Sequence, residues 1–123
     1  MRLTAITLDC PDPPALAAFY AHATGLPLHH ASGEDFAGLV GEGGLLLGFQ
    51  RVDDYEPPRW PGQSVPQQIH LDFAVDDLDA AEQRLSQLGA ARPESQPGGD
   101  RWRILTDPAG HPFCLTLPKG DGA

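Results

Sequence analysis

Apolar and polar positions alternate over residues 3–10 (LTAITLDC), the two-residue period of a half-buried strand. Asp12 follows as an N-cap, and Pro13 and Pro14 suit a first helical turn. Leu16, Phe19, Tyr20 and Ala23 then recur at helical spacing until Gly25 supplies a stop. The same grammar returns in the second half of the chain. Residues 68–75 (QIHLDFAV) alternate, with Leu71, Phe73 and Val75 on one face. Asp77 caps a helix striped by Leu78, Ala81, Leu85 and Leu88, and Gly89 ends it.

Short strand-like segments follow each helix: 28–31, 36–40 and 45–51 in the first half, then 91–94, 101–106 and 112–117 in the second. Ser32-Gly33, the glycines around 41–44, residues 97–100 (PGGD) and residues 107–111 (DPAGH) punctuate them as turns. Each half thus reads strand, helix, strand, strand, strand. The predicted fold class is α+β, a single domain of two βαβββ modules. Module one covers residues 1–56, a proline-rich linker 57–66, module two 67–118 and a frayed tail 119–123.

A sheet with one helix on one face leaves its other face free, and two such faces can enclose a concavity for a small ligand. Alternation assigns side chains to that face. Ala5 and Thr7 face inward on the first strand, and Gly48 and Gln50 on the fourth. His70 and Asp72 do so on the fifth, and Cys114 and Thr116 on the last. Cys10 falls on the helix side and reads as core.

Charge and composition remove several function classes. Asp and Glu number 17 against 8 Lys and Arg, a formal charge of −9, and no basic stripe exists for nucleic acid. The acidic balance suits a cationic ligand but does not specify one. Apolar runs are too short for a membrane span, and residues 1–4 (MRLT) open no secretion signal, so a cytoplasmic protein is expected. Two cysteines cannot build a disulfide framework and are expected as thiols. There is no phosphate loop, dinucleotide fingerprint, paired CxxC or nucleophile elbow.

Residues 1–20, 69–89 and 107–115 (DPAGHPFCL) together resemble the vicinal oxygen chelate superfamily of glyoxalase I, extradiol dioxygenases and bleomycin-resistance proteins. The last segment is similar to the family ending DP-x-G-x-x-(I/F)-E-L. The resemblance implies a glyoxalase-like fold with a concave sheet cavity, and a homodimer. It also implies metal positions on the first, fourth, fifth and eighth strands, normally His, Glu or Gln. These fall on Ala5, on Gly48 or Gln50, on His70 and on Cys114. Ala5 cannot ligate, and Cys114 stands where Glu is usual. No metal is therefore favoured; a divalent ion, if held, would use His70 and Cys114 with Gln50, or Asp72 in its place.

Two functions stay open. The first is metal-independent binding of a small organic molecule, with Trp60, Phe49 and Trp102 giving apolar contact and His70, Asp72 and Gln50 orienting the ligand. Cys114, Thr7 and Thr116 complete that pocket. The second is an enzyme, a glyoxalase-like lyase, isomerase or dioxygenase, built on a metal at His70. Each named residue also has a plainer role: a pocket-lining histidine, a small buried cysteine, or tryptophans that merely pack.

Overall fold

The computed structural model describes residues 1–118, so the expected frayed tail lies outside the described residues. The chain gathers into two compact units, Met1–Glu56 and Pro57–Ala123.

In the first unit, β1 (Ala5–Cys10) leads into α1 (Pro13–Thr24), then β2 (Phe36–Val40) and β3 (Leu46–Arg51). The strand order is β1-β3-β2, with β1 parallel to β3 and β2 antiparallel to it. The helix begins where the sequence says it should. Asp12 accepts a hydrogen bond from the Ala15 amide at 3.2 Å, and Pro13 and Pro14 fill positions that need no amide donor. Gly25 ends it at φ 77°, a left-handed cap whose amide donates to Ala21 O at 2.8 Å. Leu8, Cys10, Ala37, Leu39 and Phe49 turn towards α1 and are buried with its Leu16, Phe19 and Tyr20. The Tyr20 and Phe49 rings stack at 5.5 Å.

The second unit repeats the plan with β4 (Leu71–Ala74), α2 (Leu78–Leu88), β5 (Trp102–Thr106) and β6 (Pro112–Thr116), in the order β4-β6-β5. Asp77 caps α2 through the Ala80 amide at 3.0 Å, and Gly89 stops it at φ 117°. Phe113, Leu115 and Leu105 form the core on the helix side, with Leu78 and Leu85 from α2. Arg103 also faces the helix. It is 8% exposed and binds Glu82 at 2.8 Å and Asp79 at 3.1 Å. The Glu82 hydrogen bond is the main influence raising its pKa, against the cost of burial.

In each βαβββ module the strand after the helix is cut to a single bridge, Leu28 with Leu39 and Ala91 with Thr106. Backbone amides of His29 and Gly33 still donate to Gly38 O and Phe36 O along the β2 edge, and side chains fill the gaps between them. Ser32 Oγ accepts from the Gly38 amide at 3.0 Å in β2. In β5 the Gln96 amide group accepts from Ile104 N at 3.0 Å and donates to Ile104 O at 2.8 Å. Periodicity cannot foresee this, because one side chain can satisfy an edge as backbone would.

Candidate functional site

Register decides which side chains share the free face of the second sheet. Asp72 pairs with Cys114, and Cys114 with Ile104, so these three lie in one row across β4, β6 and β5. Trp102, two residues before Ile104, points the same way, since strand neighbours alternate. Its flanking Arg103 points to α2. The register thus fixes the facing of Trp102.

His70 stands immediately before β4, on the side of Asp72. Its Nε2 lies 3.8 Å from Asp72 Oδ1, and both side chains are about half exposed, at 46% and 57%. That separation is too long for a hydrogen bond and is an ion pair only when the imidazole is protonated. With Cys114 Sγ, the three ligand-type atoms lie within 4.8 Å of one another. Burial pushes the Cys114 thiol up to about 11, and the Asp72 carboxylate adds to this by its charge and by accepting the thiol's hydrogen bond. At neutral pH Cys114 is a protonated donor.

Beside this cluster is a cavity of about 210 Å³, smaller than most drug-sized sites, walled by Trp60, Gln67, His70, Trp102 and Cys114. Ile104 and Pro112 complete its lining. Gly98 is packed against the Trp102 indole: a Cβ there would sit 2.4 Å from the ring. Only a glycine allows the ring to lie where it does. Gln67 belongs to this site and was missed in the sequence, where nothing in the residues after the proline-rich linker marks it. Its Oε1 is buried without a hydrogen-bond partner.

The other expected residues lie elsewhere. Thr116 is two residues beyond Cys114 on β6, with Oγ1 3.5 Å from Phe73 O. Thr7 and Gln50 belong to the first unit. Thr7 lies beside Gly48 on the sheet's free face, and Gln50 borders a shallow hollow with Asp35, Arg51 and Asp53. Phe49 requires a correction. It is 0% exposed and stacked on Tyr20, so it presents no surface to a ligand; its alternation places it with the core, opposite Gly48 and Gln50. Cys10 and Cys114 are free thiols.

Residues 5–116, nearly the whole described chain, match the family described as glyoxalase-like domain. The chain belongs to that family. The superfamily resemblance carried by its sequence segments is thereby confirmed. This glyoxalase-like domain is 37% identical over 111 residues to the putative glyoxylase CFP32 of Mycobacterium bovis, and equally to the protein of that name in Mycobacterium tuberculosis. The match takes in 87% of this chain but 41% of those proteins, so the chain spans less than half the length of the curated relatives it matches.

Among solved structures, the fosfomycin resistance protein FosX of Listeria monocytogenes superposes with a TM-score of 0.71 at 19% identity. The match covers 98% of this domain and 94% of FosX, which was solved with Mn(II) and 1S,2S-dihydroxypropylphosphonic acid. The bleomycin-binding protein of Streptomyces verticillus, solved with copper(II)-bleomycin, gives 0.56 at 20% identity over 97% and 98% of the two chains. These likenesses establish the fold. Among the described residues, no helix is long and apolar enough to cross a membrane.

Proposed function

We propose that this glyoxalase-like domain binds a small organic molecule in the cavity between Trp60 and Trp102, and does so without a metal. The observation that carries this reading is the convergence of two indoles and several polar groups on one small cavity of the second unit. Apolar walls supply contact area, and His70, Gln67 and the Cys114–Asp72 pair fix orientation. The metal-free form is supported by the implied ligand positions themselves, since Ala5 and Gly48 offer no donor atom and Cys114 stands where the resemblance implies glutamate. Relatives of the same fold solved with bleomycin or a phosphonic acid support a ligand-binding role in general terms.

The donor set keeps a metal-dependent reading alive. His70, Asp72 and Cys114 match, in type and number, the three protein ligands of an open zinc-like site. A divalent ion held there would polarise a substrate oxygen. Glutamate, the usual eighth-strand ligand implied by the resemblance, is replaced by Cys114.

Elemental analysis separates the two readings. Untagged protein would be purified without chelator and then reloaded separately with zinc, nickel, manganese and iron. We expect less than a tenth of an equivalent retained, and His70→Ala to change only ligand affinity. Near-stoichiometric metal that disappears in His70→Ala would replace the binding reading with the enzymatic one.

A further inference from the structure

The Cys114 thiol at this cavity donates to Asp72, and what remains without a partner is an acceptor. Gln67 Oε1 is a buried acceptor with no partner, which is unfavourable unless a donor meets it. The terminal torsion of a glutamine is soft, so a small rotation turns this oxygen towards a donor in the cavity that the side chain already lines. Trp60 and Trp102 present indole rings, the side chains whose faces attract cations most strongly. Asp72 adds a carboxylate beside Cys114. None of the lining residues is arginine or lysine, and His70 is the one lining side chain that can carry a positive charge.

We infer that the ligand is a compact, planar organic cation bearing N–H donors, of the amidinium or arylammonium class, with Gln67 Oε1 as its buried acceptor. This rests on the reading of the Trp60–Trp102 cavity as the ligand site. Gln67 is then a specificity-determining residue: it requires an N–H, while the lining indoles, with the Asp72 carboxylate beside Cys114, favour the charge. The small volume limits the ligand to about one ring and its charged substituent.

The test uses three near-isosteric probes, benzamidinium, benzamide and benzoate, titrated into the intact protein. Intrinsic fluorescence reports the cavity, because the chain's 2 tryptophans both line it. Benzamidinium is expected to bind at least tenfold more tightly than benzamide, with benzoate weakest. Gln67→Leu should weaken benzamidinium about tenfold, as loss of a buried acceptor does. Gln67→Glu, nearly the same shape, should hold or strengthen it, which guards against a folding defect being mistaken for lost recognition. Benzoate binding as tightly as benzamidinium, or a Kd unmoved by Gln67→Leu, would overturn the inference while leaving the cavity as the ligand site. Failure of all three probes to change the tryptophan emission would overturn the cavity reading itself.

Discussion

Superposing the two units by register sets Ala5, Thr7 and Gly48 against His70, Asp72 and Cys114. The backbone plan is common, yet among the described residues the cluster of His, Asp and Cys ligand atoms lies on the second sheet. In the first unit the centre of the free face is a glycine, and a Cβ on Gly48 would meet the Phe36 ring at 2.9 Å and Thr7 Oγ1 at 3.0 Å. Phe36 therefore fills the space over its own sheet. By register its counterpart in the second unit is Trp102, which rests against Gly98 instead. The row over Cys114 is left open for the cavity. A repeated fold thus places side chains in equivalent positions, and the neighbouring aromatic decides whether a position is filled or available.

The helix faces differ as well. Ala37 in β2 and Arg103 in β5 occupy equivalent rows. The first unit places aromatic rings under a helix of almost wholly apolar sequence. The second places a guanidinium under an amphipathic helix that supplies Glu82 and Asp79. The largest expected effect lies in the first of these cores. Phe49→Ala removes the ring stacked on Tyr20 and should lower stability by about 3–5 kcal/mol, measured by urea unfolding. The matching change Leu115→Ala should cost about 2–5 kcal/mol. A Phe49→Ala loss under about 1 kcal/mol, far below the usual range for such truncations, would show that the stack is not a core element.

Arg103→Met tests the polar counterpart. The substitution leaves Glu82 part-buried but still 3.2 Å from Arg92, and Asp79 almost fully in water. We expect about 1–3 kcal/mol of destabilisation, because one carboxylate loses its buried partner and retains an exposed one. Combining it with Glu82→Gln should recover part of the loss. Strict additivity of the two changes would mean that the pair is not coupled.

The two glycines under the aromatics come next. Gly98→Ala brings a methyl to 2.4 Å from the Trp102 ring and 2.5 Å from its carbonyl oxygen, so backbone and side chain must both move. A loss of about 1–3 kcal/mol is expected, with a shifted tryptophan emission. Gly48→Ala meets the far edge of a ring that can swing, so the smaller loss should belong to it. The reverse order would contradict the account of why one sheet is open and the other filled.

Legibility in the sequence followed the same division. Strands, helices and caps were visible because period, N-cap and left-handed glycine leave local signatures: Asp12, Gly25, Asp77 and Gly89 all act as read. The facing of His70, Asp72 and Cys114 followed from alternation alone. Trp102 needed the register of β5, and Gln67 needed its surroundings, since an orphaned acceptor is a property of packing. Phe49 was drawn into the ligand set as a large aromatic, although its own alternation already opposed Gln50. The shortened strands at Leu28 and Ala91 were hidden because Ser32 and Gln96 bond as backbone would, through contacts of side chains rather than a period.

The smallest expected effect concerns a group for which the first unit has only Gly48. Folding raises the Cys114 thiol from 9.0 to about 11, so the fold prefers the protonated form. The stability this contributes is complete below pH 9.0 and is lost as pH rises through about 11. The side chain is only partly buried, so solvent screens the effect, and the difference between wild type and Cys114→Ala is the quantity to follow. The thermal midpoint of wild type should fall more steeply than that of the variant across this interval. Alkylation by iodoacetamide reads the same proton directly, because Cys10 is 0% exposed and protected in the folded state. The rate should rise with a midpoint near 11. Asp72→Asn should move that midpoint towards 9.0 without reaching it, since burial is the larger cause and the carboxylate the smaller. A wild-type midpoint already at 9.0 would mean that Asp72 and burial do not hold the thiol, and would restore Cys114 as a candidate ligand or nucleophile at moderate pH.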